Sequence, residues 1–134
     1  MVELALLSPW IIFLFIGVLD WGFYAHAVIT LENATRAAAV YASGSSQAFT
    51  ETGNLCTILL NEMASLSNMQ SVTTCGGTSP VSLSSIQLTG SDSPDGNTAV
   101  KMSVTYTTPQ MIPIPGLLAG KFTLTRTLKM RATS

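Results

Sequence analysis

The side chains that catalysis most often needs are scarce in this sequence. There is one histidine, His26, and it stands in a mostly apolar stretch. A Ser/His/Asp or Cys/His set requires a histidine beside its nucleophile, and no such set can be assembled around His26. Glycine-rich phosphate loops, paired histidines and zinc signatures are also missing from the sequence. We therefore expect no catalytic site, no cofactor and no metal, and we interpret His26 as an interfacial helix residue.

Cys56 and Cys75 are the two cysteines of the chain. In an exported domain a lone pair of this kind favours a disulfide, and closing a loop of about 20 residues would stabilise the fold by about 3 kcal/mol. The alternative is two reduced thiols in a cytosolic fold. A zinc site is disfavoured, because it would require further Cys or His ligands at a suitable spacing.

Two carboxylates, Glu3 and Asp20, lie within or beside apolar sequence. An unpaired charge in such surroundings is costly, so both are candidates for an interaction with another group. The alternative is that both sit at the boundaries of a bilayer as ordinary interfacial residues. Asp92 and Asp95 differ, because they fall in the turn signal at residues 91–97 and lack the alternating spacing of a calcium loop.

The composition of the chain bears on its partners and its location. The chain has 134 residues, of which 10% are charged, and its net charge is −1. No basic field is available for phosphate backbones, so nucleic-acid binding is not expected. The abundant serine and threonine favour an exported surface whose solubility comes from hydroxyls.

The N-terminal stretch from Leu4 to Leu31 is apolar and carries Asp20 and His26 as its ionisable side chains. About 20 apolar residues suffice for a helix to span a bilayer, so the stretch is long enough. A signal peptide would have a basic start and a short apolar run, and a buried core helix would need a larger domain around it. The sequence therefore favours a membrane-inserted helix over both alternatives.

Helical periodicity links the end of this stretch to the residues after it, through Ala27, Leu31, Ala34, Ala38 and Tyr41. We predict that the helix ends between residues 42 and 48, near Gly44. A helix of this length exceeds one bilayer, so its second half must pack on something outside the membrane. Pro9 predicts a kink or a loosened turn near its start.

The second half of the chain predicts a small mixed domain. Apolar residues at helical spacing between 51 and 67 indicate a short amphipathic helix that carries Cys56. Alternating patterns around 81–88, 100–106 and 122–130 predict antiparallel strands. The apolar, proline-rich segment 109–120 is interpreted as a loop that contacts a neighbouring subunit or the membrane surface, or that folds back over the sheet. Four basic residues are expected on a solvated strand face: Lys121, Arg126, Lys129 and Arg131.

The first third of the chain carries an ordered series of motifs: Val2-Glu3-Leu4-Ala5-Leu6, Pro9, the apolar run that ends in Asp20-Trp21-Gly22, and Asn33-Ala34-Thr35-Arg36-Ala37-Ala38-Ala39. This series resembles the start of TadE-like pilins. The resemblance implies a prepilin of the inner membrane, whose helix later stacks in the core of a tight-adherence-type pilus or seeds one. Glu3 would correspond to the glutamate of the pilin N-terminus. Processed pilins usually carry that glutamate at the fifth position, and no cleavage site is assigned here.

Within this resemblance the candidate assembly residues are Glu3, Pro9, Asp20 and Arg36. We hypothesise that Glu3 pairs with the N-terminal amine of a neighbouring subunit and that Asp20 pairs with a polar or cationic group on an adjacent helix. The expected partners are copies of the chain or other pilins in a helical filament, the pilus assembly machinery, and the inner membrane before assembly.

The sequence thus predicts an α+β protein with a long N-terminal pilin-type helix, a short second helix and a small antiparallel sheet. The helix is assigned to residues 1–48, with its membrane or filament-core half at 4–31, and a small extracellular domain to residues 49–134. The expected function is that of a structural subunit of an extracellular pilus with a role in surface attachment. A minor priming or tip pilin, or an anchored binding module that does not polymerise, is the alternative.

Overall fold

The first helix, α1, runs from Val2 to Ser43 in the computed structural model, which describes residues 2–45, 47–48, 50–88, 96–109 and 121–132. Its 42 residues correspond to a length of about 63 Å. Pro9 lies inside the helix, which is assigned without interruption on both sides of it. The predicted long helix and its predicted end are confirmed.

The second helix, α2, extends from Thr52 to Glu62 and is shorter than predicted. After it the chain continues in turns, in which backbone N–H groups bond three residues back, as in Leu66 to Met63 and Met69 to Leu66. The apolar side chains keep their spacing through these turns and stay buried. Residues at three-residue spacing can therefore line a core without α-helix, and this is why the pattern overestimated the length of α2.

Three antiparallel strands form one sheet in the order β1-β2-β3. They are β1 (Val81–Leu88), β2 (Ala99–Thr107) and β3 (Thr123–Arg131). On β2 every second side chain, from Val100 to Tyr106, is buried, as alternation predicts. The three predicted strands are confirmed, and the fold is α+β. Most of the predicted turn at 91–97, with Asp92 and Asp95, and the segment 110–120 lie outside the described residues.

The core lies between the sheet, α2 and the second half of α1. A stripe of small residues on α1, including Ala34 and Ala38, is fully buried together with Leu31. Small side chains at helical spacing let β2 and β3 approach the helix closely, and α2 packs beside them. The small domain therefore sits on α1 from about Ala27 to Ala42.

The face of the sheet that points away from α1 carries paired hydroxyl side chains. Ser103 and Thr105 on β2 lie opposite Thr127 and Thr125 on β3, and each pair is joined by a side-chain hydrogen bond of 3.1 Å. The register places Arg126 on the other side, in the row that faces α1. The prediction that one strand face carries Arg126 together with Lys129 and Arg131 is therefore wrong for Arg126, because strand residues alternate between faces.

Candidate membrane and assembly interface

The first half of α1 is apolar, and from Ala5 to Phe15 it is exposed on all sides. Trp10 is 69% exposed, Phe15 65% and Trp21 73%, and their neighbours are similarly open. Among the side chains that the structure describes in this region, the exposed large apolar residues are Leu6, Leu7, Trp10, Ile11, Ile12, Phe13, Leu14, Phe15, Val18, Leu19, Trp21 and Phe23. A patch of this size on a soluble protein marks a surface that lipid or another protein covers.

By length and composition, α1 could cross a membrane, and its most apolar part is almost entirely unburied. This exposure argues against a core helix, since a core helix would be covered by its own domain. The helix is therefore anchored to the domain by its second half and presents its first half to the surroundings.

The candidate assembly residues are spread along α1. Glu3 and Pro9 are exposed in the first turns, whereas Arg36 is exposed beside the domain. Glu3 and Arg36 are separated by about 50 Å along the helix axis, at 1.5 Å per residue. The fold does not bring these residues together, so any assembly contact would use each of them at a different level of α1.

Arg36 has one ionic neighbour on the same helix, Glu32, four residues earlier. Their closest atoms are 4.0 Å apart, and both side chains are more than half exposed. Such a pair contributes only about 0.3–0.5 kcal/mol. Arg36 therefore remains accessible to another carboxylate.

Asp20 occupies a different environment from Glu3. Its side chain is 7% exposed, and its Oδ2 atom has no hydrogen-bond partner among the described residues. It belongs to the stripe of α1 that continues into Ala27 and Leu31 and faces the small domain. The pairing predicted for Asp20 therefore requires a partner that enters the space between helix and domain.

That space is an open groove of about 750 Å³. One wall is α1, with Leu19, Asp20, Phe23 and His26. The opposite side consists of the turn after α2 and the end of β2: Ser65, Leu66, Ser67, Tyr106, Thr108 and Pro109. The groove is mainly apolar, and Asp20 and His26 are the ionisable side chains of its helical wall.

The disulfide between Cys56 and Cys75 is present, as predicted. It joins α2 to the segment before β1 across a separation of 19 residues. Gly76 and Gly77 follow directly with positive φ angles of 94° and 65°, a conformation that glycine adopts without strain. The covalent link therefore ties α2 to the point where the chain turns into the sheet.

A hydrogen-bonded cluster joins α1 to α2. The Asn54 amide and the Tyr41 hydroxyl donate to Glu51 Oε2 at 2.7 and 2.9 Å. These two bonds, with that of Asn54 the stronger influence, hold the pKa of Glu51 below its ordinary range. The cluster is exposed, so it positions the two helices without forming a pocket.

Tyr106 lies at the end of the groove, and its ring is 1% exposed. Burial raises the pKa of Tyr106, and its hydroxyl donates a hydrogen bond to Asn68 Oδ1. Sequence reasoning missed Asn68, Thr108 and the serines at the rim. The pattern held no signal for them, because the packing of distant segments brings Thr108 and the serines to the groove of Asp20, and Asn68 to Tyr106.

Residues 1–40 match the model of the TadE-like protein family. The match spans most of α1, including Glu3, Pro9, Asp20 and Arg36, and stops before α2. The predicted resemblance to TadE-like proteins is confirmed for this segment. No curated protein and no solved structure matches the chain.

The match therefore relates the apolar helix to a pilus-related family. The described residues contain no group of three or more His, Cys, Asp or Glu side chains that could hold a metal ion.

Proposed function

We propose that this chain is a structural subunit of a Tad-type pilus and that it polymerises through the exposed first half of α1. The observation that carries the proposal is the helix itself, whose apolar surface is open on all sides from Ala5 to Phe15 and which continues directly into the part that supports the domain. The TadE-like match over residues 1–40 supports the same function. The role is structural and not catalytic.

Before assembly, α1 lies in the inner membrane, where lipid covers its apolar side chains. On assembly it exchanges lipid for the helices of neighbouring copies or of other pilins, and the small domain faces outward. Each contact between apolar side chains is weak, yet the sum over a helix of this size holds a filament together without covalent links. Surface attachment then follows from the exposed domain.

Three candidate residues act at different levels of the filament. Glu3 lies near the N-terminus and pairs with the N-terminal amine of a neighbouring subunit. Pro9 interrupts one backbone hydrogen bond of α1 within the packed helices. Arg36 lies at the level of the domain and pairs with a carboxylate of a neighbour.

Electron microscopy of material sheared from expressing cells tests the proposal, together with mass spectrometry of the same fraction. Filaments built mainly of this chain are the expected result. Trace amounts beside another subunit would indicate a minor priming or tip pilin, and recovery from membranes alone would indicate an anchored module. Glu3→Ala should reduce the filament yield, whereas Glu62→Ala, on the exposed side of α2, should leave it unchanged.

A further inference from the structure

We propose that the groove beside Asp20 binds the headgroup of a phospholipid that carries an ammonium group. The starting observation is the Asp20 carboxylate, which is nine-tenths buried and has one oxygen without a hydrogen-bond partner among the described residues. A buried carboxylate without a partner is costly, and most buried polar groups in folded proteins are hydrogen-bonded. The groove therefore offers a place for a group that supplies a positive charge and hydrogen-bond donors.

The groove lies at the level where a bilayer would end. A span of about 20 residues from Ala5 ends close to Tyr24, one turn beyond Asp20. Trp21, which is 73% exposed, stands beside Asp20, and tryptophan is enriched at membrane–water interfaces. The mouth of the groove is thus at the headgroup level once α1 is inserted, and this inference rests on the membrane insertion that the proposed function includes.

The lining of the groove matches the two parts of a phospholipid. Leu19, Phe23 and Leu66 form an apolar surface that continues the exposed surface of α1 and suits the start of an acyl chain. Ser65 and Ser67 are exposed on the opposite side and supply hydroxyl donors for a phosphate. Asp20 provides the negative charge for the ammonium group.

A second copy of this chain fits the groove less well. The occupant must be apolar and must also bring a positive charge to Asp20. The first Lys or Arg of the sequence is Arg36, and the N-terminal amine of a neighbour is the proposed partner of Glu3, so the apolar stretch of a second α1 brings no lysine or arginine to Asp20. An ammonium phospholipid carries both features in one molecule and surrounds α1 in the membrane.

Native mass spectrometry of the full chain, extracted in mild detergent, tests this inference with phosphatidylethanolamine and phosphatidylglycerol as probes. The wild-type chain is expected to retain phosphatidylethanolamine in preference to phosphatidylglycerol. Asp20→Asn keeps the size of the side chain but removes its charge. It should lower that preference about tenfold, the effect of losing one charge-assisted hydrogen bond. Glu62→Gln removes a charge from an exposed position on α2, outside the groove, and should leave the preference unchanged.

A second variant distinguishes a loss of lipid binding in the groove from a loss caused by misfolding. Ser67→Trp fills the groove from an exposed position and should reduce lipid adducts while the Cys56–Cys75 disulfide and the melting temperature are retained. Equal retention of both lipids, or an unchanged preference in Asp20→Asn, would overturn the inference. A photo-crosslinking residue at position 67 gives an independent readout, in which a lipid adduct supports the inference and a dimer of the chain contradicts it.

Flotation with membranes separates this inference from the proposed function. If the chain floats with membranes but binds both lipids equally, the groove proposal fails and membrane insertion stands. If the chain does not float, membrane insertion fails and the lipid site fails with it.

Discussion

The hydroxyl of Tyr106 donates a hydrogen bond to the side-chain oxygen of Asn68, which lies 38 residues earlier in the chain. The Asn68 amide in turn donates to the backbone carbonyl of Thr107 at 3.1 Å. These two bonds hold the turn after α2 against the end of β2, where both form one side of the groove that faces Asp20.

Tyr106→Phe tests this relationship. The ring stays in its buried site, but Asn68 Oδ1 loses its donor, so the free energy of unfolding should fall by about 1–2 kcal/mol. Chemical denaturation in detergent measures the change. Tyr24→Phe is the matched control, because the Tyr24 hydroxyl makes no hydrogen bond to another described residue. Equal losses in the two variants would contradict a specific role for the Asn68 contact.

The disulfide gives a second prediction. Replacing Cys56 and Cys75 by serine together should lower the free energy of unfolding by about 3 kcal/mol, since the unfolded chain loses the constraint of a closed loop. Thermal denaturation of the double variant, beside the wild-type chain with and without a reducing agent, measures this effect. The reduced wild-type chain should match the double variant. An oxidised wild-type chain no more stable than the variant would refute the prediction.

Sequence patterns predicted the elements of this fold well and the groove poorly. The length of α1 and the three strands were readable because apolar residues recur at 3.6 and at 2 residues, and Cys56 and Cys75 were a lone pair. The surroundings of Asp20 were not readable in the same way. The groove that it lines is completed by the turn after α2 and by the end of β2, both more than 40 residues away in the sequence.

Arg126 shows a second limit of pattern reading. Four basic residues near the C-terminus were assigned to one face by composition, whereas the side of the sheet depends on the parity of each position. Arg126 differs in parity from Lys129 and Arg131, so it faces α1 near Glu32 and Arg36. The TadE-like motif was recognisable because residues 1–40 lie on one helix and need no tertiary contact to define their order.

Acid pH provides a third prediction, at the contact between α1 and α2. The hydrogen bonds from Asn54 and Tyr41 lower the pKa of Glu51, so the folded state favours the charged carboxylate. The resulting stability is present above the ordinary glutamate value of about 4.3 and is lost as pH falls through the lowered folded pKa. Asn54→Ala should move the pKa of Glu51 upward toward that ordinary value.

An NMR titration of the Glu51 carboxyl carbon measures this shift. Asn61→Ala is the control, because Asn61 is an exposed asparagine on the same helix and lies outside the cluster. An unchanged Glu51 titration in Asn54→Ala would show that the amide does not determine the pKa.

The last prediction separates the two faces of α1 in the region of the domain. Leu31 is fully buried against the domain, whereas Ile29, two residues earlier, is 61% exposed on the other side of the helix. Leu31→Ala should cost about 2–5 kcal/mol in the free energy of unfolding, because it leaves a cavity in the core. Ile29→Ala should change the stability of the isolated chain by no more than about 0.5 kcal/mol.

Filament assembly should depend on Ile29, the position that contributes little to the stability of the isolated chain. If α1 packs against neighbouring helices in a filament, Ile29→Ala removes an apolar contact between subunits and should reduce the yield of sheared filaments while the chain remains folded. Denaturation in detergent and the mass of the sheared fraction, measured on the same two variants, provide both readouts. A large loss of stability in Ile29→Ala would mean that this face already packs within the single chain. Normal filament yield from a folded Ile29→Ala variant would place the subunit contact on another part of α1.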